Sequence, residues 1–369
     1  MPSLKVQFEL AKEAGITLHP ALETTQNEPL RSFSRQALPA GTVLLRMPLQ
    51  RRLQALNSVA FPAQMDPVVA LLHRLARELN APQDPVTALL SAAMRTPEQL
   101  KNESAYYLPE ADIKRLGEIH DQLPRSIALC QNRVVQLYGF LNAVDATLTR
   151  EAVEHVALNA FGQGWFSTYF MPLTHIFRRC AWRGLRLVQD GNDLILQTPR
   201  PLEKDSEVFI NLGKQDVFDA VLHAPGFDAD LRYCIAYGAR IQHFIKTPFE
   251  RQVVQQASHH FPVAIPEGQS FFILQDPHAL LMESGPSISL MTFFNAMSVA
   301  TPTELAQSRP NAEALKAFVQ DAFSRLRAMN HVSDIDQSET PAPMHKYVQA
   351  AQRDLEILKT NLNWASDAL

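Results

Sequence analysis

At 369 residues, with 46% hydrophobic and 20% charged side chains, the chain is long enough to bury a sizeable core and to form two or three lobes. A formal net charge of -4 gives no reason to expect nucleic acid as a partner. Cys130, Cys180 and Cys234 are odd in number and widely spaced, which fits neither a disulfide framework nor a zinc knuckle and points to a reducing compartment.

The N-terminal stretch carries charges within its apolar pattern, and no later run reaches the roughly 18 apolar residues of a membrane span. The expectation is a cytoplasmic protein without a membrane partner, with export by a specialised secretion system left open. Val6 to Ala14 has Phe8, Leu10 and Ala11 on one side and stops at Gly15, which predicts a short amphipathic helix. Ile16 to Leu18 and Ala21 to Glu23 read as short strands. Pro39-Ala40-Gly41 then turns the chain into the run Val43 to Met47, a strand closed by Pro48.

From Asp66 to about Leu158 the apolar spacing is helical, in five periods separated by proline-rich and amide-rich loops. These are Val68 to Ala76, Val86 to Met94, Asp112 to His120, Ile127 to Leu141 and Arg150 to Leu158. Much later, Glu207 to Asn211 alternates like a half-buried strand and is ended by Gly213. Val217, Phe218, Val221 and Leu222 recur at helical spacing before Pro225-Gly226-Phe227 turns the chain. Beyond Asp228 the expectation is mostly helix, with strong periods over Asn311 to Met329 and Met344 to Leu362. No nucleophile-elbow, P-loop or zinc-protease motif occurs.

The strand, glycine, short helix and Gly-Phe closure between Ser206 and Phe227 resembles the end of the SET domain in the RuBisCO large-subunit lysine methyltransferase group, which includes the actin-histidine methyltransferases. Leu38 to Pro48 is similar to that group's turn-strand landmark, Tyr106 to Pro109 to another, and Leu355 to Leu358 to its closing helix. The resemblance implies an α+β fold in four parts: residues 1–65 and 159–229 form a SET β-fold, a helical insertion over 66–158 splits it, and 230–369 form an all-helical, substrate-binding-like domain.

It also implies S-adenosylmethionine (SAM) as cofactor and methylation of a protein lysine or histidine. The residues at the SAM positions are Leu30, Arg31 and Ser32, where the group has a glycine-rich segment, and Arg178 and Arg179, where it has Asn-His. Trp165, Phe166, Asn211 and Leu212 fall at substrate positions, and Leu212 stands where the group has its catalytic tyrosine. Leucine can neither deprotonate nor orient an amine. Bulky side chains and Pro29 do not bring the main chain close to a ligand as glycines do.

His175, Tyr233 and Tyr237 are the remaining candidates for chemistry: the histidine as a base near neutrality, the tyrosines as replacements for the missing hydroxyl. No carboxylate or histidine stands at helical spacing from His175, so no metal is expected. The leading reading is a divergent SET protein that has lost ordinary methyl transfer and binds a protein, a peptide or a small molecule in its cleft. The alternatives are an active SAM-dependent protein methyltransferase with a rebuilt site and an enzyme repurposed for a small-molecule reaction.

Overall fold

The computed structural model describes residues 3–25, 30–48, 67–163, 173–180, 184–211, 216–222, 226–228, 231–236, 243–245, 248–258, 261–265, 267–276, 278–299, 335 and 340–368. The expected helix over Asn311 to Met329 lies outside them. The chain divides into two compact units, one of Met1–Leu108, Ser126–Lys214 and Leu222–Gly226, the other of Pro109–Arg125, Gln215–Val221 and Phe227–Leu369.

In the first unit, α1 (Leu4–Glu13) buries Leu4, Gln7 and Ala11 and ends where Gly15 takes φ +74. Strands β1 (Thr17–Leu18), β2 (Leu22–Thr24), β3 (Ser32–Ser34) and β4 (Val43–Pro48) follow. Helices α2 (Pro67–Arg77), α3 (Pro85–Ala92) and α4 (Pro97–Glu103) come next. Two of these starts were written in the sequence: Asp84 with Thr87 and Thr96 with Gln99 form capping boxes, each with a proline in the first turn. After α5 (Glu110–Ile119), which belongs to the second unit, α6 (Gln122–Val144) and α7 (Arg150–Gln163) complete the helical block. Helix α2 packs on α7, and α1 on α3.

The chain then returns as β5 (Arg178–Cys180), β6 (Arg186–Asp190), β7 (Asp193–Gln197) and β8 (Glu207–Asn211). Two four-stranded sheets result, ordered β1-β4-β7-β6 and β2-β3-β8-β5. In the first, Leu45 faces both Leu18 and Leu196, and Met47 faces Leu194. The β6–β7 hairpin turns through Gly191-Asn192, with Gly191 at φ +57, the position a two-residue hairpin turn gives to glycine. One core joins both sheets to the helices, through Leu44, Leu45, Met47, Leu71, Leu75, Leu89, Ile176, Leu194, Leu196, Val208 and Ile210.

The second unit contains α8 (Val217–Leu222) up to Val221, β9 (Cys234–Ala236), β10 (His243–Phe244), α9 (Pro248–Ala257), β11 (Val263–Ala264), β12 (Phe271–Leu274), β13 (Leu280–Met282), β14 (Gly285–Pro286), α10 (Ile288–Val299) and α11 (His345–Ala368). Helix was expected throughout this part, and α9, α10 and α11 are helical. Between Cys234 and Pro286, however, the chain also builds two three-stranded sheets, β10-β12-β11 and β14-β13-β9. Helix α11 packs on β9, β13, β14 and α5. Its Asp354, fully buried, accepts from His120 Nε2 at 3.0 Å, while His120 Nδ1 accepts the Gln122 N–H and the ring meets Phe218 edge-on at 4.7 Å. Asp216 caps α8 through the Phe218 N–H and holds the Ala236 N–H of β9, both at 3.0 Å.

Candidate functional site

The strand on which the site is built is β8. Its alternation sends Val208 and Ile210 into the core and leaves Glu207, Phe209 and Asn211 half-buried. Three separate segments pair with it. Strand β3 runs antiparallel, with Ser32 opposite Val208 and Phe33 opposite Glu207. Strand β5 runs parallel, matching Arg178, Arg179 and Cys180 to Phe209, Ile210 and Asn211. Finally Leu185 bridges Ile210, donating to Phe209 O at 2.7 Å and accepting from the Asn211 N–H at 3.2 Å.

This last crossing explains Gly184. A Cβ there would lie 2.4 Å from Ile210 C, 2.5 Å from Asn211 N and 2.7 Å from Phe209 O. Only a residue without a side chain lets the two main chains approach so closely. A glycine immediately before a strand was the one sequence signal for it.

Leu30, Arg31, Ser32, Arg178 and Asn211, all singled out from sequence, lie on or beside these strands. Ser32, buried, donates its hydroxyl to Ile176 O at 2.8 Å and accepts from Thr24 Oγ1 at 3.0 Å, so β3 is tied to the turn that leads into β5. Arg178 reaches along the sheet to Glu207, with Nη1 at 3.1 and 3.3 Å from its two carboxylate oxygens, and its guanidinium lies 5.5 Å from the centre of the Phe209 ring. Before Ser32, the Arg31 N–H donates to Thr25 Oγ1 at 2.9 Å and Arg31 O accepts the Thr25 N–H at 2.8 Å; Leu30 packs against the core. Asn211 ends β8.

His175 sits one turn before Arg178, in a 3₁₀ turn (Thr174–Ile176) that follows the buried Leu173. Leu173 has φ 67, a left-handed conformation that costs a non-glycine residue roughly 1 kcal/mol or more. His175 Nε2 lies 2.8 Å from Gln7 Oε1 on α1, so the proton is on Nε2, and Nδ1 is buried without a hydrogen-bond partner. Burial pushes the imidazole down to about 4, which keeps it neutral at physiological pH. Gln7, whose burial no periodicity could reveal, was missed from sequence.

Tyr233 belongs to the second unit, where its ring stacks on Phe227 at 4.8 Å. Trp165, Phe166, Leu212 and Tyr237, and the side chain of Arg179, lie outside the described residues. Among the described residues no group of three or more metal-ligating side chains converges, and no helix is long and apolar enough to cross a membrane.

An α+β unit of two four-stranded sheets, interrupted by a helical block and threaded so that β3, β5 and Leu185 all pair with one strand, defines a protein of SET-domain fold. Its solved neighbours are particular ones. The chain is similar over 98% of its length to the SET domain of LSMT bound to lysine and AdoHcy, with 13% identity, TM-score 0.60 and 90% of that chain covered. It is similar over 100% to Rubisco LSMT bound to sinefungin and monomethyllysine and to Rubisco LSMT bound to AdoMet. These two likenesses have 12% identity, cover 92% of each neighbour and give TM-scores of 0.61 and 0.62. At such identity the likeness establishes the fold. Comparison with protein-family models and with curated proteins gives no match.

Proposed function

We propose that this chain is a divergent SET-fold protein that has lost ordinary SAM-dependent methyl transfer and uses the scaffold to bind a protein, a peptide or a small molecule. The observation that carries this is the set of contacts that side chains already make within the fold at the positions where the resemblance puts the cofactor. Ser32 has its hydroxyl on Ile176 O, and the Arg178 guanidinium is held by Glu207 and Phe209. A cofactor with a carboxylate, an ammonium and an adenine needs main-chain and side-chain groups free to meet it. At Arg31 and Ser32 the main chain is instead bonded to Thr25 and to strands β2 and β8. These bonds support the reading that the site no longer takes SAM.

The competing reading is an active methyltransferase with a rebuilt site, and it is favoured by one finding: the fold neighbours that extend over almost the whole chain are themselves bound to AdoMet, AdoHcy or sinefungin. Isothermal titration of the purified protein with SAM and with S-adenosylhomocysteine separates the two. The proposal expects no heat of binding up to about 1 mM, which bounds the standard free energy near -4 kcal/mol. Saturable micromolar binding would overturn it. Mass spectrometry of the freshly purified protein, released from any bound small molecule by denaturation, then tests whether the site carries another ligand.

A further inference from the structure

Strand β6 (Arg186–Asp190) forms one side of the sheet β1-β4-β7-β6, and its outer edge is open. The hairpin register fixes which main-chain groups lie on that edge. Asp190 faces Asp193 across the Gly191-Asn192 turn, so Asp190, Val188 and Arg186 exchange their bonds with β7, and Leu187 and Gln189 direct theirs away from it. Leu185, next in that alternation, also points away and is taken by β8, through Phe209 O at 2.7 Å and the Asn211 N–H at 3.2 Å. The outward main-chain groups of Leu187 and Gln189 meet no partner among the described residues. The free edge is therefore the five residues between the crossing at Leu185 and the turn at Gly191, and its centre is Val188.

Length, bonding phase and charge select the same occupant. At one end of β6, Arg186 is exposed and forms no ion pair among the described residues. At the other end, Asp190 and Asp193 stand opposite each other and share the guanidinium of Arg46, and the Asp190 side chain is still 56% exposed. An antiparallel copy of the strand, related by a two-fold axis at Val188, sets Arg186 of each copy against Asp190 of the other. The same register sets Leu187 against Gln189, the residues whose main-chain groups point outward, so each pair exchanges both bonds. It also brings the two Val188 side chains together on the axis, at the closer, non-hydrogen-bonded position. No other register does this. An axis nearer Arg186 requires Leu185, which β8 holds, and an axis nearer Asp190 runs into the turn. An axis between two residues would oppose outward groups to inward ones, and a parallel pair would set like charges side by side.

We infer that the edge of β6 is a self-association edge, on which a second copy of this chain adds its own β6 antiparallel about Val188 and joins two four-stranded sheets into one. Charged residues on an edge strand ordinarily oppose such pairing. Here they stand in the order that a two-fold axis turns into attraction. An extended segment of another protein would have to reproduce the length, phase and charge order that β6 already has. Five residues a side fall well short of the roughly 20–30 of a standard interface, so the dimer is a micromolar one, and its exposed ion pairs make it weaker in salt. The inference does not rest on the loss of SAM binding.

The test is sedimentation velocity of the full chain at low salt, from about 1 to about 200 µM, where a reversible monomer–dimer equilibrium is expected. Arg186→Asp should weaken the dimer at least about tenfold, and combining it with Asp190→Arg should restore it to within about threefold, because opposite charges face each other again. Gln189→Pro removes an outward N–H that the sheet itself does not use and should also dissociate the dimer. Under mild oxidation Val188→Cys should give a disulfide-linked dimer and Arg186→Cys should not, since only the residue on the axis meets its own copy. Circular dichroism and melting of each variant are expected to match the parent. A chain that stays monomeric at about 200 µM would overturn the inference and leave the edge to an extended segment of another protein. So would a dimer untouched by Arg186→Asp, a double exchange that fails to restore it, or cross-linking through Arg186→Cys in place of Val188→Cys.

Discussion

Replacing Gly184 by alanine tests whether β8 really carries three partners. The new methyl would sit 2.4 to 2.7 Å from three main-chain atoms of β8, which cannot rotate away as a side chain can. To restore ordinary contact near 3.4 Å the 184–185 segment must retreat by roughly 1 Å. That breaks the two bonds between Leu185 and β8, at 2.7 and 3.2 Å, and draws the buried Leu185 out of the core. Each lost bond with its buried polar group left unpaired costs about 1–2 kcal/mol, and disturbed packing adds about as much again, so the loss is ~4 kcal/mol. Gly139→Ala is the matched control. Its Cβ meets nothing within 4 Å on an exposed helix, and the change should stabilise by ~0.5–1 kcal/mol. Urea unfolding followed by circular dichroism reads both, and hydrogen exchange at the Leu185 and Asn211 amides reads the local opening. If Gly184→Ala unfolds within ~1 kcal/mol of the parent and both amides stay protected, the crossing is not packed as described.

Three further outcomes follow from buried polar groups. His175 should titrate near pH 4 when its ring carbon is followed by NMR; because its folded pKa is depressed, the unfolded chain takes the proton first, so its contribution is intact above pH 6.5 and declines as pH falls toward 4. A midpoint above 6 would mean the ring is not enclosed. Arg178→Met should cost ~2–4 kcal/mol by stranding Glu207, the double change with Glu207→Leu should recover most of it, and additive single effects in a double-mutant cycle would deny the pair. Asp354→Ala should cost the second unit ~2–4 kcal/mol, because the His120 Nε2–H loses its acceptor in a site with no water access, whereas Asp354→Asn keeps a carbonyl oxygen and should cost less; equal melting of the two variants would refute this.

How much of this was legible in the sequence depends on how local the signal was. Helix α1, the turn into β4, strand β8 and most of the helical block are each specified by residues within a dozen positions, by periodicity or by proline, and they stand where expected, whereas α4, whose start the Thr96–Gln99 capping box marks, was not read. Strand β12 was not seen because Phe271-Phe272-Ile273-Leu274 is apolar on both faces, so no alternation marks it. Strands β9 and β13 are three residues each and pair across more than 40 positions, as Cys234 with Met282 and Ala236 with Leu280. A run that short gives no period to read. The site divides in the same way: Ser32 and Arg178 could be placed by their order along the chain, but their partners Ile176 and Glu207, and Gln7 for His175, are contacts of tertiary structure alone.

The same distinction explains how chains of 12–13% identity come to share a fold. Every bond that makes β8 the meeting point of β3, β5 and Leu185 runs between main-chain groups, which any residue supplies, and the one strict demand on identity is a glycine at 184. Side chains at the same positions are free to change, provided that each new buried polar group finds a partner within the fold. Arg178 places its Nη1 on Glu207, and Ser32 places its hydroxyl on Ile176 O. A guanidinium so partnered cannot be exchanged for a compact amide without leaving Glu207 alone in a half-buried site. Removing either member of the Arg178–Glu207 pair would strand the other, so the pair resists single substitutions whatever the site binds.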